Sequence, residues 1–377
     1  MKKWLITGGC GFIGTALVKN IIEERPYDQI RVLDNLSHGT RKDLAQVCRF
    51  DENTIPVSTN AHLPEPSGSS SAVELIVGDI TDIEMAEKAA LGMDCIVHLA
   101  ANTGVGPSVE NPRQDLQSNV LGILNMLEGA RKHNVERFVF ASSSAPVGET
   151  DPPVHEELAP RPVSPYGASK LAGEGYCSAY YRTYGIKTVA LRFGNVYGPG
   201  STHKTSVVAK FIKQALRGEP CVIYGDGSQT RDFIYIDDLV QAILKAALFD
   251  SAFSISNFSS SNSSPNASGL MNSPSDIHSN TYTRSAESSL QAGKKKPWGE
   301  NFQIATNKEH TVNELAEMLS KELKNRGVAM GVEYGEPMRG DILRNYSDTS
   351  KAKNILGWQY SMNLQQGLAK TVDWFLS

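Results

Sequence analysis

The chain has 377 residues, 40% of them hydrophobic, which is ample for a large core and, at ordinary domain sizes, for about two domains. A net charge of -4, with no basic stripe interleaved with aromatics, argues against a nucleic-acid partner and leaves small molecules as the expected ligands. Five scattered cysteines (Cys10, Cys48, Cys95, Cys177, Cys221) form no Cys-x-x-Cys pair and suit a reducing, cytoplasmic setting; no apolar run is long enough to span a membrane. Met1-Lys2-Lys3 precedes too short an apolar run for a signal peptide, so that run reads as the first strand.

The first informative element is Trp4-Leu5-Ile6, followed at once by Thr7-Gly8-Gly9-Cys10-Gly11-Phe12-Ile13-Gly14. A strand, a tight glycine turn and a helix starting near Phe12 together offer free amides and a positive dipole end to a pyrophosphate, with close backbone approach at Gly8, Gly11 and Gly14. A second apolar run, Ile30 to Leu33, ends at Asp34, 20 positions after Gly14. That spacing suits a carboxylate gripping an adenosine ribose diol, and its charge repels a 2′-phosphate, so NAD is expected rather than NADP.

Further β-branched runs follow at Val73 to Val77, Cys95 to Leu99, Arg137 to Phe140 and Thr188 to Leu191, with helical spacing at Leu116 to His133 and Tyr166 to Tyr184. This alternation predicts an α/β chain, a Rossmann-like doubly wound parallel sheet over residues 1–193. Residues 194–377 are expected to form a smaller α/β substrate-binding region, with a strand at Phe302 to Ala305 and a helix at Val312 to Leu323. Two polar stretches break the rhythm. Residues 51–72 read as a long loop, and the Ser/Asn-rich tract at 251–300 reads as a disordered insertion. Asn-x-Ser patterns at Asn257, Asn262 and Asn266 occur there by composition, and glycosylation is not expected.

Ser164 can cap a helix whose first residue is Pro165, setting Tyr166 and Lys170 four apart on one face. An ammonium beside a phenol favours the phenolate and is expected to lower the tyrosine pKa, giving a general base. Upstream, Ser142-Ser143-Ser144 stands at the carboxyl end of the Arg137 strand, the edge where ligands lie in such sheets. A serine there can bond the reacting hydroxyl and share its proton with Tyr166.

With these motifs in order, the chain closely resembles the extended short-chain dehydrogenase/reductases, in particular the NAD-dependent nucleotide-sugar epimerases and dehydratases. The matching segments are TGGCGFIG, Leu33-Asp34-Asn35-Leu36, Gly78-Asp79-Ile80, His98-Leu99-Ala100-Ala101, Asn119, the serine run, YGASK, Leu191 through Pro199, Gly225 through Phe233, and Leu356-Gly357-Trp358. The resemblance implies NAD contacts at Asn35, Asp79, Ile80, Leu99, Ala100, Ala101, Asn119 and Phe193, with Lys170 on the nicotinamide ribose. It also implies that Asn195, Arg231 and Arg339 hold the substrate diphosphate. Two departures stand out. Pro146-Val147-Gly148 replaces the usual Val-Tyr-Gly and is one residue shorter, leaving Ser143 or Ser144 as the catalytic hydroxyl, with Ser144 favoured. Arg339 stands two residues before Asp341, where many relatives have three.

Such a site oxidises a sugar at C4 and can then epimerise it or eliminate water. In dehydratase relatives an acid pair follows the catalytic threonine; Ala145 and Pro146 stand there and neither transfers a proton. The glutamate of sugar-nucleotide decarboxylases is also missing. The reading is therefore an NAD-dependent isomerase, a nucleotide-sugar 4-epimerase acting on UDP-glucose and UDP-galactose. UDP-N-acetylglucosamine or UDP-glucuronate epimerases, a dehydratase, a decarboxylase or a non-catalytic nucleotide-binding regulator are the alternatives. A homodimer is expected through the helices at 116–133 and 166–184. No metal is expected.

Overall fold

Trp4, Leu5 and Ile6 are wholly buried, and a three-residue run of large apolar side chains can be sealed on both faces only in the middle of a covered sheet. In the computed structural model, which describes residues 1–53, 72–249, 295–337 and 343–377, they form such a central strand. The chain begins β1 (Lys3–Thr7), α1 (Phe12–Glu24), β2 (Gln29–Asp34), α2 (Arg41–Ala45), β3 (Asp51–Asn53), β4 (Val73–Val77), α3 (Ile83–Ala90) and β5 (Cys95–His98). It continues α4 (Val105–Glu110), α5 (Pro112–Leu116), a wide π-type turn at Gln117–Leu121, α6 (Gly122–Lys132), β6 (Arg137–Ser143), α7 (Pro165–Tyr184) and β7 (Lys187–Phe193). Next come β8 (Asn195–Tyr197), α8 (Val207–Leu216), β9 (Cys221–Tyr224), β10 (Thr230–Arg231), β11 (Phe233–Tyr235) and α9 (Ile236–Ala247). The chain closes with β12 (Glu300–Ile304), β13 (His310–Thr311), α10 (Val312–Lys324), β14 (Val332–Gly335) and α11 (Leu364–Leu376).

Eight strands form one parallel sheet in the order β12-β7-β6-β5-β1-β2-β4-β3. Thr7 lies opposite both Leu33 and His98, so the chain order reverses beside β1, and the carboxyl ends of β1, β2 and β5 meet at a switch point. Three short pairs, β8 with β11, β10 with β13 and β9 with β14, build the smaller region. By its contacts the chain forms one unit of Met1–Ala247 with Pro297–Ser377 and a second of Leu248–Lys296, of which 248–249 and 295–296 are described. The five cysteines are free. Among the described residues no helix is long and apolar enough to cross a membrane.

Three expectations need correcting. Within the loop expected at 51–72, Asp51–Asn53 is an edge strand on β4, held by main-chain pairing and by the side-chain bond from Asn53 to Glu74; residues 54–71 lie outside the described ones. The boundary at 193 is crossed twice. β12 extends the large sheet beside β7, and α9 packs against α1 and the central strands, because both carry apolar faces that the sheet alone can cover. Most of the tract expected to be disordered lies outside the described residues, but its last part does not. Trp298 is buried beneath Arg137 and Lys187, and Arg137, the first residue of β6, donates through Nη1 to the Ala247 carbonyl at 3.0 Å.

At the end of β5 the buried His98 shares a 2.9 Å hydrogen bond through Nδ1 with Thr7 Oγ1, which also accepts from the Ala100 amide at 3.2 Å. The hydroxyl, with one proton and two lone pairs, can serve both the amide and the imidazole nitrogen. Burial, and then the charge of Lys170, push the His98 pKa down to about 3. Below pH ~6.5 the unfolded chain takes up a proton here that the fold refuses, so stability falls by about 1.4 kcal/mol per pH unit down toward pH 3. Urea unfolding across this range should give a pH slope in His98→Asn that is shallower than that of the wild type by about that amount.

Candidate active site

The glycine turn between β1 and α1 is shaped by close backbone approach. Gly8 has φ +70°, and a Cβ there would stand 2.8 Å from the Ala100 amide nitrogen; a Cβ on Gly14 would overlap the Gly8 carbonyl oxygen. Gly11 is the N-cap of α1, so the amides of Phe12 and Ile13 open the helix without intrahelical acceptors. Asp34 closes the turn from β2. It accepts from the Cys10 amide at 2.9 Å and the Leu36 amide at 2.8 Å, while burial raises its pKa above the ordinary carboxylate range. Beside it, Asn35 donates to Asp79 at 2.8 Å; Asp79 also accepts from Thr81, and these bonds outweigh its partial burial and hold its carboxyl below the usual value. Ile80 is buried against Gly122 at the start of α6. A cradle that a single Cβ would fill, helix amides at its mouth and a carboxylate on the neighbouring strand fit an adenine dinucleotide with a free ribose diol.

On the other side of the switch point, Leu99, Ala100 and Ala101 follow β5. Asn119, in the π-type turn, takes the Asn102 amide on its Oδ1 at 2.8 Å and donates through Nδ2 to the Asn102 carbonyl at 2.9 Å, fixing the strand's exit. The same Nδ2 reaches Asp115 at 2.9 Å and the Ser169 hydroxyl at 3.1 Å, and Ser169 in turn donates to the Tyr166 carbonyl. The buried Asp115 and Ser169 are functional neighbours that spacing alone does not single out. The π-type turn is the structural sign of them.

Ser164 caps α7 by accepting from the Gly167 amide at 3.1 Å, as the Ser-Pro start predicts. Tyr166 and Lys170 share a face, and Ser143, the last residue of β6, lies close enough to the Tyr166 phenol to favour its ionised form. Ser144 opens a turn in which its carbonyl accepts from Val147, while Ser143 Oγ accepts from the Ala145 amide at 3.2 Å. The expected lowering of the phenol pKa is reversed. Burial, and then the charge of Asp115, push Tyr166 up to about 12, while Lys170 aims its ammonium at the Ala141 carbonyl, 2.9 Å away, and lies 5.8 Å from the Tyr166 ring centre. Burial pulls Lys170 itself down to about 8 against the charges of Asp115 and Glu174. Glu174, one turn further along α7, accepts both arms of Arg192 at 2.8 and 2.7 Å and the Ser142 hydroxyl at 2.6 Å, tying α7 to β6 and β7 under the site.

Phe193 ends β7 opposite Ser143. Asn195 begins β8, and its amide donates to the Asp232 carbonyl at 2.9 Å, so Asn195 and Arg231 are brought to one corner. Asp232 is the organiser there. Its buried carboxylate accepts from the amides of Thr306, Asn307 and Ser347, a role the Arg-Asp-Phe segment did not reveal. Arg339 lies outside the described residues.

A doubly wound sheet with a glycine-rich turn at its switch point and a Ser, Tyr, Lys set along the next carboxyl ends defines a short-chain dehydrogenase/reductase. The profile of the NAD dependent epimerase/dehydratase family matches residues 4–255, and the chain belongs to that family. A Methanocaldococcus jannaschii protein named provisionally as UDP-glucose 4-epimerase is 33% identical over 98% of this chain and 97% of its own length. Of solved structures, UDP-glucose 4-epimerase from Thermotoga maritima with UDP-glucose is 30% identical, with a TM-score of 0.75 over 99% of this chain and 98% of its own. A dTDP-glucose 4,6-dehydratase from Streptomyces venezuelae with NAD bound is 26% identical, with a TM-score of 0.74 over 99% and 97%. NAD is the cofactor and the chain is an enzyme of nucleotide-sugar chemistry.

The two serines give a direct test of the geometry. Ser143→Ala should lower kcat on the nucleotide sugar by about 100-fold, the scale of a lost proton-sharing contact. Ser144→Ala should leave kcat within a few-fold.

Proposed function

We propose that the protein is an NAD-dependent 4-epimerase that interconverts UDP-glucose and UDP-galactose. The observation that carries this reading is the turn after Ser143. Ala145 and Pro146 occupy it, folded back by the bonds from Val147 to Ser144 and from Gly148 to Ala145, so neither position after the serine run carries an acid or carboxylate to eliminate water across C5 and C6. Relatives named for UDP-glucose 4-epimerisation over the full chain length support the same choice.

Bound NAD supplies the hydride acceptor at C4, the hydride donor for its return, and a positive charge when oxidised. Tyr166 takes the proton of the sugar 4-hydroxyl. Its phenol, held at about 12 by burial, is a neutral acid in the protein alone and acts as base only with added positive charge nearby. Ser143, close to the phenol, bridges the sugar hydroxyl and the phenol and gives the proton a short path between them. Lys170 fixes the Ala141 end of the strand and brings a cation to the face of the Tyr166 ring. Asn195 and Arg231, with Arg339 from outside the described residues, hold the UDP diphosphate while the 4-keto sugar turns its other face; a guanidinium fork suits phosphate oxygens. Leu116, Leu121, Tyr176 and Tyr184 leave apolar surface exposed on the helices around α6 and α7, which supports a homodimer.

Purified protein should interconvert UDP-glucose and UDP-galactose with NAD retained, read by NMR of the product. Tyr166→Phe should lose about 10²- to 10⁴-fold in kcat while keeping its NAD. A 4-keto-6-deoxy product, a pentose nucleotide, or turnover confined to N-acetylated or uronic acid sugars would overturn the assignment. Unchanged function in Tyr166→Phe would point to a nucleotide-binding regulator.

A further inference from the structure

The loop between β8 and α8 is not needed by any step above, yet it is tightly built. Ser201 is buried and donates to the Gly198 carbonyl at 2.7 Å, and the Lys204 amide donates to the Ser201 carbonyl at 3.0 Å. From α8, Lys213 donates to the carbonyls of Thr202 and Lys204 at 2.9 and 2.8 Å. His203 Nε2 lies 3.3 Å from Asp43, whose carboxylate also accepts from Thr40 at the start of α2. Immediately before Thr40, Gly39 packs so closely on Cys10 and Gly11 that a Cβ would overlap their backbone. The loop after β8 and the loop after β2 are therefore tied to each other across the glycine turn.

Lys204 is the residue this arrangement delivers. Its Nζ stands 5.5 Å from the centre of the Phe12 ring, over the first residue of α1, and Gly200 lies against the same ring. Among the described residues its ammonium has no carboxylate or hydrogen-bond acceptor. Burial alone lowers its pKa, with no opposing charge. A partly desolvated cation with only a ring face for company, set beside the free amides of a helix start, has the environment of an anion site awaiting its anion.

We propose that Lys204 is a cofactor-binding residue whose ammonium neutralises the diphosphate of bound NAD, with the 198–204 loop as the arm that holds it at the mouth of α1. This rests on the glycine turn as the NAD diphosphate site and is independent of which sugar is turned over. The sugar nucleotide carries the same chemical group, but the position over Phe12 favours the dinucleotide.

The test is the rate at which the holoenzyme releases NAD, followed by dialysis and assay of retained cofactor at low and high NaCl, with thermal unfolding as the check on folding. Lys204→Met should release NAD at least about tenfold faster at low salt, and the difference from wild type should shrink as salt rises, because a charge contact near the surface is screened. Lys204→Arg should stay near wild type. If Lys204→Met lowers the Tm sharply, Lys204→Gln, which keeps a polar end on the stem, gives the same readout. A wild-type release rate with wild-type salt dependence in the charge-removing variants would overturn the proposal. So would wild-type NAD release with weakened binding of UDP, which would place the ammonium on the substrate diphosphate. Failure of the epimerase reading appears in product analysis and leaves NAD release untouched.

Discussion

The contact between Gly14 and the Gly8 carbonyl governs the arrangement of the site. It brings the start of α1 against the end of β1, with no room for a side chain between them, and sets the first amides of the helix at the switch point of the sheet. Asp34 reinforces this from the neighbouring strand by gripping the Cys10 amide within the turn. A carboxylate offers about four lone-pair directions, so the two backbone donors on Asp34 leave capacity for a ribose diol. The same side chain thus shapes the turn and faces the ligand, and its burial raises the energetic stake of both roles.

The reacting groups are held by a second set of interactions, all converging on α7. The Ser164 cap fixes where the helix starts, Ser169 and Asn119 tie its first turns to the exit of β5, and Glu174 locks it through Arg192 to β7 and through Ser142 to β6. Tyr166 and Lys170 sit between these ties. Their buried setting separates their proton affinities from the values of free side chains in opposite directions, the phenol upward and the amine downward. A pair arranged in this way responds strongly to any charge that enters the site, which is the property that transient oxidation of a sugar requires.

The strands and helices of the cofactor half were legible because their signals are local: three or four β-branched residues, a glycine turn, a Ser-Pro helix start. β12 was legible as a strand but not as a member of the large sheet, since its place beside β7 depends on a parallel pairing across more than a hundred residues. Ser143 and Ser144 lie on either side of the point where β6 stops and the turn begins, a one-residue matter that the shortened Pro146-Val147-Gly148 segment obscured in the sequence. The direction of the Tyr166 shift was missed for a different reason. The four-residue spacing puts Lys170 on the same face, but only the packed structure shows its ammonium committed to the Ala141 carbonyl. Asp232 acts through the backbone amides of Thr306, Asn307 and Ser347, which are distant in sequence, and such partners leave no periodic trace.

Arg137 gathers residues from either side of the 248–296 stretch to a single point, with the Ala247 carbonyl on its guanidinium and the Trp298 ring beneath it. That point is the amino end of β6, about 20 Å along the strand from Ser143. Ala247 and Trp298 are therefore held together at the end of the sheet opposite the chemistry. For a chain stretch whose ends are already fixed together, each doubling of length adds only about 0.6 kcal/mol of closure cost. Here the fold has a port at which sequence can be gained, lost or exchanged for a recognition element with little effect on the geometry around Tyr166.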